Sequence, residues 1–94
     1  GQKGRQGMTE TEIVVQDIRR ELRWSYRDQS TSNLRALASR LIDNKDTASI
    51  ADAVRKYTTV LSAARQSANP AALERVKFSA YMLTHALRDW EAAR

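Results

Sequence analysis

Cysteine is absent and histidine occurs once, so the chain has no disulfide framework and no set of thiolates or imidazoles for a structural zinc site. Proline occurs once, at Pro70, and all three glycines fall within the first seven residues. Phosphate-cradling loops need glycine for close backbone approach, and none follows Gly7. No run approaches the roughly 18 apolar residues of a membrane span. The polar opening from Gly1 to Gly7 lacks the apolar core of a secretory signal. These absences lead us to expect a soluble, cytoplasmic protein with no membrane partner. No sustained alternation of β-branched and polar residues marks a strand, which leaves helix as the regular structure.

What is present is a 94-residue chain of net charge +5 whose basic residues are twelve arginines and four lysines. That length predicts one small core, near the size at which oligomerisation often supplies part of the stability. Met8-Thr9-Glu10 has the look of a native start. Residues 1–8 are therefore expected to be a disordered leader or expression remnant, and 9–94 a single helical domain. The basic charge is compatible with a polyanion partner, and arginine suits phosphate recognition, although a GC-rich genome also enriches it.

The apolar spacing predicts an all-α fold, a small bundle of three to four helices with antiparallel neighbours. Thr9 and Glu12 fit a capping box, and Val15, Ile18, Leu22 and Tyr26 place helix 1 over about Thr11 to Arg27. The turn formers from Asp28 to Asn33 precede helix 2, with Leu34, Leu37, Ala38, Leu41 and Ile42 on one face; a kinked continuation of helix 1 is the alternative. Asp43 to Asp46 reads as a turn, with Asp46 or Thr47 capping helix 3. Its stripe is Ile50, Ala53, Val54, Tyr57, Leu61 and Ala64, ending near Ser67. Asn69 before Pro70 supplies a cap with proline at the first helical position, and helix 4 runs to about Ala92.

Helix 4 carries two apolar faces. Leu73, Val76, Ala80, Leu83, Leu87 and Trp90 form a seam expected to enter the core, while Phe78, Tyr81, Met82 and His85 lie roughly opposite. A monomer of this size can bury only one of them, so the second predicts self-association, with a larger protein partner as the other possible occupant. His85 has no second ligand or nucleophile in helical reach and reads as an interface residue. No catalytic, cofactor or metal motif is evident, and the chain reads as no enzyme.

On helix 1, Arg19, Arg20, Arg23 and Arg27 share one flank with Trp24 just beyond, and Asp17, Glu21 and Asp28 project to the other. Like charges four apart weaken a helix, so helix stability does not account for the row. It is either paired by acids from helix 3 or 4, simply solvated, or a site for the phosphates of double-stranded DNA, with Trp24 adding stacking. Leu34 to Tyr57 fits a helix-turn-helix poorly: Ile42 and Asp43 replace the expected glycine and apolar turn residue, and the turn is too long. A bundle hairpin is the better reading; in a reader, Ser49, Asp52, Arg55 and Lys56 would face outward.

The stretch Ser32-Asn33-Leu34-Arg35-Ala36-Leu37-Ala38-Ser39-Arg40-Leu41-Ile42-Asp43, followed by Asp46-Thr47 and Ile50 to Arg65, resembles terminase small subunits of actinobacterial double-stranded DNA phages. The resemblance covers about a third of the chain and lies in an Ala/Leu-rich helix ending in leucine and aspartate, an acidic-Thr cap and an Ala-rich helix. It implies a non-enzymatic oligomer that binds phage DNA at packaging initiation and hands it to the large motor subunit. The competing class is a helical adaptor or regulatory module that binds a protein through helix 4 and no nucleic acid. An antitoxin or immunity protein fits the size, though such inhibitors are more usually acidic.

Overall fold

The computed structural model describes residues 7–94 apart from Gln29 and Ser30; the side chains of Tyr26 and Asp28 are also outside the description. Expectations placed on residues 1–6, on those two side chains and on Gln29 and Ser30 thus lie outside the described residues. Among the described residues there are four α-helices and no strand: α1 Glu10–Asp28, α2 Ser32–Ser39, α3 Ala48–Arg65 and α4 Pro70–Ala92, with a 3₁₀ turn at Lys45–Thr47 before α3.

Local chemistry fixes the helix starts. The Thr9 N–H donates to Glu12 Oε1 at 3.0 Å and the Glu12 N–H donates to Thr9 Oγ1 at 3.1 Å, a reciprocal capping box that satisfies two otherwise orphaned donors. The Thr9 N–H, more than any other group, holds the Glu12 carboxyl below its ordinary pKa; the Thr9 hydroxyl and Arg94 act in the same direction against partial desolvation. Asn69 Oδ1 accepts from the Ala71 N–H at 3.0 Å, and Pro70 opens α4.

Successive helices run antiparallel. Arg40 on the turn after α2 pairs with Glu10 at the start of α1. Arg94 Nη2 lies 3.1 Å from Glu12 Oε1, and Arg19 Nη2 2.5 Å from Glu91 Oε1, so α1 closes the bundle against the C-terminal half of α4. The core gathers Val14, Val15 and Ile18 of α1, Leu34 and Ala38 of α2, Leu41, five residues of α3 from Ile50 to Leu61, and Val76, Leu83 and Leu87 of α4. Because α3 packs against both α2 and α4, its buried set extends beyond one stripe to Ala51 and Thr58.

Four expectations require correction. Helix 2 stops at Ser39, because the Arg40 and Leu41 N–H groups bond to Leu37 O and Ala38 O three residues back. That tightening to about three residues per turn rotates Ile42 out of the stripe and into solvent. Before α3, Asp46 caps nothing and Thr47 holds the N-cap position without a side-chain hydrogen bond to the helix; the side chain that does cap is Asn44, ahead of the 3₁₀ turn, whose Oδ1 accepts from the Asp46 N–H at 2.8 Å. Thr47 is buried, and its hydroxyl donates to Leu41 O at 3.0 Å, a carbonyl that also accepts from the Asn44 N–H at 3.2 Å. Helix 3 ends at Arg65, two residues early, on N–H groups that bond back to Ala63 O and Ala64 O. Finally, Leu73 is 49 % exposed: it lies in the first turns of α4, before the half that α1 covers, and Ala72 takes the buried place.

Candidate functional site

The outer face of α4 follows from where its inner face is spent. Val76, Leu83 and Leu87 point into the core, so residues about half a turn away project outward. Phe78 is 65 % exposed, Tyr81 64 % and Met82 43 %. His85 continues the strip, its ring stacked on Tyr81 with centroids 6.1 Å apart and planes 10° from parallel. His85 Nε2 lies 3.7 Å from Asp89 Oδ2, one helical turn on. Isolated exposed apolar side chains are ordinary, but three large ones on two adjacent turns form a contiguous patch of the kind that marks an association surface.

Beside this strip runs a groove between α3 and α4 of about 680 Å³, with Phe78, Met82 and Trp90 along one wall and Ser49, Ala53 and Lys56 along the other. Small residues on the facing helix, Ser49 and Ala53, leave the hollow open. Arg94 lies over the Trp90 ring, 4.4 Å from its centroid, and closes the far end. Ser49, Asp52 and Lys56, candidates for base reading in a helix-turn-helix, line this groove, and Lys56 Nζ pairs with Asp52 Oδ2 at 3.2 Å.

No protein-family model, curated protein or solved structure matches the chain.

The arginine row is divided. Arg19 is taken by Glu91 across the α1–α4 seam, as the internal-pairing reading requires. Arg20 Nη2 reaches back to Asp17 Oδ1 at 3.6 Å, which corrects the expectation that acids on the opposite flank leave the row alone: at i,i+3 a long side chain bridges the angular gap. Arg23 and Arg27 are exposed and have no ion pair among the described residues, and Trp24 is exposed beside them. Arg23 shares a shallow hollow with Arg88 of α4, which adds a third guanidinium to that side. The single-helix projection could not place Arg88 there, because the juxtaposition depends on how α1 crosses α4.

Among the described residues no three histidine, cysteine, aspartate or glutamate side chains converge as metal ligands. Nor is any described helix long and apolar enough to cross a membrane. The surface offers apolar contact, exposed charge and a groove.

Proposed function

We propose that the chain is a non-enzymatic helical protein that works by self-association, with the outer face of α4 as its contact surface. The observation that carries this is the strip of Phe78, Tyr81 and Met82, left in water on a helix that buries Val76, Leu83 and Leu87 of its opposite face in the core. Removing such side chains from water contributes about 25 cal/mol per Å² of apolar area, and a second copy supplies the cover. In the double variant Phe78→Asp, Met82→Lys, the circular-dichroism spectrum and thermal transition are expected to stay close to wild type, while light scattering gives the mass of one chain. Wild-type protein that is already monomeric at high micromolar concentration would sink the proposal and favour a helical adaptor for a different protein.

A second reading is favoured by Arg23, Arg27 and Trp24, which stay exposed while Arg19 and Arg20 are paired. In this reading the α1 flank holds double-stranded DNA phosphates, and the protein acts like the terminase small subunits that residues 32–66 resemble, at the initiation of DNA packaging. Duplex affinity should then fall steeply with salt. Replacing Arg23 and Arg27 by alanine should weaken binding to all sequences alike and flatten the log–log salt slope by about one unit per lost contact. Unchanged affinity and slope in that variant would make the flank structural.

A further inference from the structure

The seam between α1 and α4 matches cation with acid twice and then breaks the pattern. Arg94 Nη2 lies 3.1 Å from Glu12 Oε1, and further along the seam Arg19 Nη2 lies 2.5 Å from Glu91 Oε1. One turn on along α1, and about one turn back along α4, stand Arg23 and Arg88, two cations lining one hollow of about 410 Å³. Both are exposed, and neither has an ion pair among the described residues. Their own helices offer no acid to neutralise them. The residues three and four away from Arg23 are Arg19, Arg20, Tyr26 and Arg27, none of them acidic. Those around Arg88 are Thr84, His85, Glu91 and Ala92, and the one acid, Glu91, is already held by Arg19.

Leu22, Leu87 and Thr84 also line the hollow. The Thr84 hydroxyl donates to Ala80 O at 2.9 Å, so the donors left to a ligand are those of the two unpaired guanidiniums. Like charges set across a helix seam repel, and an anion between them turns that repulsion into two attractions. A carboxylate is matched by a single planar fork, whereas the non-bridging oxygens of a phosphodiester can be taken by two, one from each side. Arg27 is exposed on the same face of α1, about 6 Å further along its axis, which favours an anion that repeats over one that ends at the hollow. We infer that Arg23 and Arg88 clamp one backbone phosphate of double-stranded DNA across the α1–α4 seam. The DNA backbone thus passes from α1 onto α4 rather than following α1 alone, and Arg88 is a binding residue.

This inference rests on the reading of the α1 flank as a phosphate surface. Its test is fluorescence anisotropy of a labelled duplex across a salt series, with circular dichroism confirming that each variant stays helical. Arg88→Ala should weaken binding about three- to tenfold at low salt, for all sequences alike. Counterion release counts phosphates, so Arg23→Ala combined with Arg88→Ala should flatten the log–log salt slope by about one unit, whereas two separate contacts would flatten it by about two. Inorganic phosphate, set against chloride at equal ionic strength, should displace the duplex only weakly, since it fills one contact where the duplex fills several. Arg88→Ala that binds duplex as tightly as wild type, or a slope change near two in the double variant, overturns the clamp. If Arg23→Ala, Arg27→Ala still weakens binding in that case, the α1 flank stands and only the share of α4 falls. A wild type that binds no duplex removes both readings; if inorganic phosphate still raises its melting temperature, the hollow is a free-anion site instead.

Discussion

Leu83→Ala is expected to lower the unfolding free energy by about 2–5 kcal/mol, the range for truncating a large aliphatic side chain where the surroundings cannot collapse into the space. Leu83 is fully buried at the middle of α4, on the face directed at α3 and at the seam with α1. Helix propensity is almost unaffected, since leucine and alanine are both strong helix formers, so the loss reports packing. Urea titration should show a lower midpoint with an unchanged slope. Any self-association of the kind proposed would stabilise the folded form by mass action, so variant and wild type are to be compared at one protein concentration. A loss below about 1 kcal/mol would mean that the seam of α4 is not core.

Tyr57→Ala should cost about 3–5 kcal/mol, as for other aromatic truncations. Tyr57 is the largest fully buried side chain, on the helix that packs against both α2 and α4, and its hydroxyl lies 3.3 Å from Ser25 Oγ of α1. One residue thereby ties α3 to α1, two elements separated by the whole of α2. With total stabilities of about 5–15 kcal/mol for domains of this kind, the alanine variant should be substantially unfolded well below the wild-type melting temperature. Tyr57→Phe retains the ring and should lose only about 1 kcal/mol. The difference between the two, read from thermal melts, separates ring packing from the polar contact; equal losses would place the stabilisation in the hydroxyl.

Periodicity and capping chemistry made most of the fold legible in the sequence. Both signals are local: Thr9 with Glu12 and Asn69 with Pro70 set helix starts through atoms within three residues of each other. The misplaced features depended on tertiary context. Thr47 stands at the N-cap position of α3, yet its buried hydroxyl donates to Leu41 O rather than accepting from a backbone N–H, and Asn44 supplies the side-chain cap ahead of the 3₁₀ turn. Val14 and Ala51 fall off their stripes in a single-helix projection but are buried because α1 and α3 each face two neighbours. The exposure of Phe78, Tyr81 and Met82 follows from which face of α4 the core takes, and both faces were visible in the sequence. The pairing of Arg19 with Glu91 was not, since it joins residues at opposite ends of the chain.

The placement of the two tryptophans gives each candidate surface its own optical reporter. Trp90 lines the groove beside Phe78 and Met82, under the Arg94 guanidinium, where its emission senses whether the neighbouring wall is wet or covered. Trp24 stands in solvent beside Arg23 and Arg27, where a stacked base or an approaching polyanion would quench it. With one indole replaced by phenylalanine at a time, intrinsic fluorescence assigns any binding event to the α1 flank or the α4 face without an added dye.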